Sequence, residues 1–291
     1  MLSFQNHLQK YQDYLILTNH PDRTQKSYLS HFKKYLEYCI SNTIDDPFIE
    51  TSVSKYLVYR YEQKIDWKTV NIDYSAIKKY FTKVLIIDWN VTTLPRPKSK
   101  KEIPDVLSKE DVLKLVEHTS ILKYRVLMLF IYGTGMRISE ALSVLVKDID
   151  SQRLQIKVRC GKGQKDRYID VPMELIEILR EYYKIYRPSY YLFYGEIKEI
   201  PIKERTFQHA VKTAGKKSGL TRDVTPHALR HCYATHHMDN GTNIVYIQKM
   251  LGHTNIKTTS IYLHLCVNPK EHQISHPIQD LKVDLLKNIR I

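Results

Sequence analysis

Two prolines and four basic side chains crowd into Leu94-Pro95-Arg96-Pro97-Lys98-Ser99-Lys100-Lys101, and no regular element can run through that stretch. Each proline lacks an amide hydrogen and clashes with a preceding helical turn, so the segment is expected to be extended, basic and exposed. The chain must therefore fold as two bodies. The expected boundaries are a first domain over residues 1–92, a linker over 93–104 and a second domain over 105–291. A chain of 291 residues is long enough to give each a proper core.

Charge is divided unevenly between them. The formal net charge is +14 with an isoelectric point near 9.4. Residues 1–92 hold 12 Lys+Arg against 10 Asp+Glu, so the surplus lies almost wholly downstream. A surface that basic attracts polyanions through counterion release, which makes nucleic acid the leading partner. A merely solvated basic surface is the alternative that charge alone leaves open.

Several classes are excluded. A hydrophobic fraction of 43% with 26% charged residues suits an ordinary folded protein rather than a disordered or collagen-like chain. The longest apolar run, Val126 to Tyr132, is too short to span a bilayer, and the opening residues Met1 to His7 carry no secretion signal. A cytoplasmic protein without membrane contact is expected. The cysteines at 39, 160, 232 and 266 are spaced like neither a zinc site nor a disulfide framework, and they read as reduced apolar side chains.

Upstream of the linker, apolar residues recur at helical spacing in four groups: Phe4 to Leu15, Tyr28 to Cys39, Val53 to Leu57, and Val70 to Leu85. Pro21, Pro47 and the polar stretch at Asp66 separate them, which predicts a small four-helix bundle. Its many tyrosines read as packing rather than chemistry. Downstream, Ser108 followed by Glu110 and Asp111 has the form of a helix start. A second helix through Arg125 to Tyr132 stops at Gly133-Thr134-Gly135, and a third carries Arg137 on its first turn. Leu154 to Cys160 alternates in hydropathy and turns through Gly161-Lys162-Gly163-Gln164 into Tyr168-Ile169-Asp170-Val171, a β-hairpin. Thr225-Pro226 opens another helix with a capping threonine and a first-turn proline. The fold class is mainly α with a small β-hairpin or sheet.

Five segments carry candidate chemistry. Arg137, after a glycine turn, can present a forked donor to a phosphate, with Glu140 placed to hold it; a surface ion pair is the plainer reading. Lys162, between two glycines, suits proton donation to a leaving oxygen, although exposed lysines in glycine turns are common. His227, Arg230 and His231 share one helix face. The two histidines have zinc-protease spacing, but Ala228 stands where that pattern needs a glutamate, and no metal site is expected. His231, His236 and His237 read as structural hydrogen-bonding groups. Gly252 should end a helix and put His253 on a loop, with Thr254 capping a short helix that returns Tyr262 to the same cleft.

Taken together, Arg137, Lys162, His227-x-x-Arg230, His253 and Tyr262 resemble the complete catalytic pattern of the tyrosine site-specific recombinase, or phage integrase, family. The stretch Trp67 to Ile77 resembles that family's helical core-binding domain, of SAM-like type, and residues from about 105 onward its α+β catalytic domain. The resemblance implies a DNA strand-exchange enzyme that needs no cofactor. Arg137 and Arg230 would clamp the scissile phosphate, Tyr262 would attack it, His227 would act as base, His253 would bind the phosphate and Lys162 would protonate the leaving oxygen. Glu140 and His231 would support them. The resemblance also implies a clamp around double-stranded DNA, with Arg96, Lys98, Lys100 and Lys101 on its backbone, and a homotetramer on two sites. A tail helix over about 269–291, bearing Ile278, Leu281, Leu285 and Leu286, would dock on a neighbouring subunit or on its own domain. No further domain is expected before the helical bundle, which favours mobile-element or Xer-type enzymes over arm-binding integrases. Ser275 to Leu281 resembles the tails of mobile-element enzymes. A type IB topoisomerase-like activity, or a DNA-binding protein that has lost catalysis, are the alternatives.

Overall fold

The computed structural model describes residues 2–90, 94–97, 106–159, 166–264 and 276–281. The chain divides into two compact units, Met1–Glu102 and Ile103–Ile291.

The first unit is built from α1 (Leu2–Leu17), α2 (Asp22–Ser41), α3 (Glu50–Glu62) and α4 (Trp67–Tyr80). The Pro21 carbonyl takes the amides of Thr24 and Gln25 at the start of α2, and the Asp66 side chain caps α4 by accepting from the Lys68 amide at 3.0 Å. The apolar positions set by the helical period meet inside: Tyr11 and Leu15, Phe32 and Leu36, Val53 and Tyr56, Val70 and Ile77 are all buried. Tyrosines fill this core while keeping their hydroxyls satisfied, as in the Tyr11 hydroxyl donating to the Ala76 carbonyl at 2.9 Å. One charge is sealed among them. Asp73, fully buried, pairs with Arg60 Nε at 2.9 Å and His31 Nδ1 at 2.6 Å.

Helix α4 runs on into a π-helical turn, Phe81–Leu85, which ends at Ile86 with a left-handed φ of 56°. Leu94 is buried in the helical core, and its carbonyl accepts from the Tyr74 hydroxyl at 3.1 Å. Arg96 donates to the Asn71 side chain at 2.8 Å, so it is tied to α4 rather than free. An apolar side chain just before two prolines gains more by packing than by staying in water. Lys98, Lys100 and Lys101 lie outside the described residues.

The second unit contains α5 (Lys109–Glu117), α6 (Leu122–Thr134), α7 (Ile138–Leu142), β1 (Ile149–Asp150), β2 (Gln155–Val158), β3 (Arg167–Asp170), α8 (Met173–Tyr186), α9 (Glu204–Lys217), α10 (Pro226–Asp239) and α11 (Ile244–Leu251). Ser108 caps α5, accepting from the Asp111 amide at 3.1 Å. Helix α6 is apolar on every side because it is surrounded: Val126 to Tyr132 are wholly buried, and α8 and α10 pack against it. The strands form an antiparallel sheet in the order β1-β2-β3, with Ile156 opposite Ile169 and both facing the core. Two residues carry no readable alternation, so β1 was not expected. The fold is mainly helical with one small sheet.

Of the stretch expected to be a tail helix, residues 276–281 are described. Pro277–Asp280 is a 3-10 turn, and Ile278 and Leu281 join the catalytic unit's own core, with Ile278 against Gly133 and Leu175. Leu285 and Leu286 lie outside the described residues. Among the described residues no helix is long and apolar enough to cross a membrane.

Candidate active site

The site is assembled by helix ends. Helix α6 stops at Gly135, whose φ of 63° only glycine adopts without strain, and a Cβ there would lie 2.5 Å from the Tyr233 ring. Arg137 follows as the N-cap of α7, in extended conformation, rather than on its first turn as expected. Glu140 accounts for the shift. Its carboxylate accepts from the Arg137 amide at 2.9 Å and from Arg137 Nη1 at 3.0 Å, leaving the guanidinium partly exposed.

Arg230 enters from α10. That helix starts where the sequence indicated, with Thr225 Oγ1 accepting from the Ala228 amide at 3.2 Å and Pro226 in the first turn. Arg230 is almost fully buried and spans the two glycine turns, donating to the Gly135 carbonyl at 2.7 Å and the Leu251 carbonyl at 2.9 Å. Burial, with Arg137 beside it, pulls its pKa down to about 10, so it stays charged at neutral pH.

His253 lies on the loop after α11, which ends at Gly252 with a φ of 65°. Arg230 Nη2 stands 3.0 Å from His253 Nε2, and Thr259 Oγ1 2.9 Å from Nδ1. An arginine can only donate, so Nε2 accepts, and the proton sits on Nδ1 facing Thr259. Burial, then Arg230 and Arg137, push the His253 pKa down to about 4, consistent with that neutral tautomer. Asn255, not Thr254, caps the 3-10 turn that follows, accepting from the Lys257 amide at 2.9 Å.

Tyr262 lies in a further 3-10 turn, Ser260–His264, and is 1% exposed. Its hydroxyl is 2.8 Å from His231 Nδ1. The His227 ring packs edge-on against His231 at 4.6 Å between centroids. Sequence reasoning gave the base role to His227 and a structural one to His231; the geometry brings His231 to the tyrosine oxygen. Burial, followed by the charges of His227 and Arg230, lowers the His231 pKa to about 4, so the ring is neutral at pH 7. Burial raises the Tyr262 pKa, with Arg230 and Arg137 opposing it. The phenol therefore needs a base to react. His236, read as structural, lies 2.8 Å from the Tyr132 hydroxyl, and His237, read likewise, 3.2 Å from Thr242 Oγ1.

Lys162 lies outside the described residues. Arg167, five residues on in β3, was missed by sequence reasoning. It donates to Glu140 Oε2 at 2.9 Å and Oε1 at 3.2 Å. Burial opposes ionisation of Glu140, but the hydrogen bonds from Arg167 and the Arg137 amide outweigh it and hold the carboxyl below its usual range. The signal available was an arginine closing a lysine-rich turn, and nothing local told it from a surface charge. The described residues contain no group of His, Cys, Asp or Glu fit to hold a metal ion.

Two guanidiniums, two imidazoles and a phenol are thus brought together by helix ends far apart in sequence. Residues 105–268 match the model of the phage integrase family. The chain is 35% identical to the integrase/recombinase-type protein y4qK of Sinorhizobium fredii, over 84% of this chain and 80% of that protein. It is 33% identical to the tyrosine recombinase XerA of Pyrococcus horikoshii, over 88% of this chain and 87% of the relative. In fold it is similar to the Tn1549 transposon integrase in complex with a circular-intermediate DNA, with a TM-score of 0.69 at 19% identity, covering 88% of this chain and 94% of the other. The family match spans the segments that supply Arg137, Arg230, His253 and Tyr262, and with it the chain belongs to the phage integrase family and is a tyrosine recombinase.

Proposed function

We propose that the chain cuts and rejoins double-stranded DNA at specific sites through a 3′-phosphotyrosyl link on Tyr262. The observation that carries this reading is the arrangement of Arg230, which donates toward His253 at 3.0 Å while Glu140 holds Arg137 on the same side of the cleft. Arg137 and Arg230 clamp the nonbridging oxygens, and His253 completes the cradle. The Tyr262 oxygen attacks phosphorus as its proton passes to His231, the imidazole in contact with it. The bond from phosphorus to the 5′ oxygen breaks, and Lys162 supplies that oxygen with a proton. A 5′ hydroxyl from a partner strand reverses these steps, so the phosphodiester energy is conserved. The basic surplus of residues beyond 92 supplies the affinity for the DNA backbone.

The biological role that fits is integration or excision of a mobile element, in keeping with the y4qK relative. Xer-type chromosome-dimer resolution is the second reading, favoured by the identity to XerA. Strand exchange between two sites calls for four copies, and tail exchange would set another copy's Ile278 against Gly133 and Leu175. The protein would act in the cytoplasm, on the nucleoid.

The Tyr262→Phe protein, used to select bound duplexes from random-sequence DNA, supplies a target. A nicked duplex of that sequence loses a short strand on cleavage and traps the covalent adduct. The wild-type chain is expected to form the adduct and Tyr262→Phe to form none. An adduct that survives the substitution overturns the nucleophile assignment. Locating the selected sequence at the ends of a mobile element or in the chromosome separates the two roles.

A further inference from the structure

Arg167 touches two pieces of the catalytic unit that are far apart in sequence. Its two terminal nitrogens donate to both oxygens of Glu140, its Nε donates to the Met250 carbonyl at 3.3 Å, and its guanidinium carbon lies where a Cβ on Gly252 would come within 2.9 Å. The pair is shielded from water, with side-chain exposures of 13% for Arg167 and 12% for Glu140. On one side, Glu140 holds Arg137 by amide and guanidinium. On the other, Met250 and Gly252 lead directly into His253, and the Leu251 carbonyl between them holds Arg230.

We propose that Arg167 is a positioning residue for strand cleavage, fixing the Arg137–Glu140 pair and the Leu251–His253 turn in one register and so setting the spacing of the phosphate clamp. The inference rests on the assignment of Arg137, Arg230 and His253 as that clamp. Competition for Glu140 sharpens it. Arg230 Nη1 is already 3.9 Å from Glu140 Oε2. With Arg167 removed, the carboxylate keeps Arg137 but loses two donors in a site shielded from water, and turning toward Arg230 replaces them. Arg230 would then be drawn off the phosphate and partly neutralised. Gly252 is explained by the same contact, because any side chain there would displace the guanidinium from the turn that carries His253.

The test measures single-turnover adduct formation on the selected duplex, with either an ordinary phosphate or a methylphosphonate at the cleaved bond. Replacing one nonbridging oxygen by methyl removes the charge that the clamp exists to hold. Arg167→Ala is expected to cleave the phosphodiester about a hundredfold more slowly, the cost of a misplaced catalytic group, while binding the duplex within about threefold of wild type. Arg167→Lys, which keeps the charge but loses the fork, is expected to lose about tenfold and carries the test if the alanine variant fails to fold. Both defects should shrink severalfold on the methylphosphonate. A wild-type rate in both variants overturns the proposal, and so does an equal loss on the two substrates, which marks a purely structural role. Failure of the wild-type chain to form an adduct would instead overturn the assigned chemistry.

Discussion

His231 Nδ1 lies 2.8 Å from the Tyr262 hydroxyl, closer than any water-bridged arrangement allows, with the tyrosine buried and the histidine half-buried. The imidazole is neutral well below pH 6, and its tautomer with the proton on Nε2 offers the phenol an acceptor. His231→Ala is expected to slow adduct formation by about a hundredfold, the usual contribution of a positioned base. His227→Ala, which removes a neighbour of that base, should cost less. The reverse ranking would return the base role to His227.

The pH dependence of cleavage follows from the same burial. With His231 held at about 4, the rate at pH 5 should stay within about threefold of that at pH 7, where a base with an ordinary pKa of 6.5 would lose about thirtyfold. A single-turnover pH profile at 20 °C measures this directly, and an inflection near pH 6.5 would falsify the assignment.

Stability should show the opposite sensitivity. His231 and His253 are held at about 4 and His237 at about 2, all below the ordinary value of 6.5. Between those limits the unfolded chain binds more protons than the folded one, so stability is complete above about pH 6.5 and is lost as pH falls toward 4. A drop of roughly 5–10 °C in the unfolding midpoint of the catalytic unit between pH 7 and pH 5 is expected after allowance for solvent screening. A midpoint that does not move over that range would contradict the burial of these rings.

Gly135 tests the backbone frame. Gly135→Ala combines a left-handed φ of 63° with a contact of 2.5 Å to Tyr233, which is buried and cannot withdraw. A loss of about 2–4 kcal/mol is expected from urea unfolding. Cleavage should fall as well, since the Gly135 carbonyl is where Arg230 is anchored.

In the helical unit, Asp73→Asn leaves Arg60 without its buried counter-charge and weakens the contact with His31. Breaking such a pair costs about 3–5 kcal/mol, and the loss should appear in the unfolding transition of residues 2–90 while that of the catalytic unit is unchanged. A silent substitution would mean that water or another group replaces the carboxylate.

What could be read from the chain was local. Ser108 and Thr225-Pro226 announce helix starts because a cap and its amides lie within three residues of each other, and the structure places each as written. Gly135 and Gly252 were legible as helix ends for the same reason. Arg167 was not, because its partners Glu140 and Met250 are 27 and 83 positions away, and only the folded chain brings them together. The contact between His231 and Tyr262 spans 31 positions and was likewise hidden, although both residues had been singled out. The family pattern supplied roles that no spacing could, and the geometry redistributed them.

The single carboxylate of Glu140, set among three guanidiniums, leaves the resting cleft two positive charges in excess. A bound phosphodiester cancels one of them. The pentavalent phosphorus species, whose equatorial oxygens carry two negative charges, cancels both. The second negative charge appears only as the bond to phosphorus forms, so the arginine cluster rewards bond-making more than occupancy.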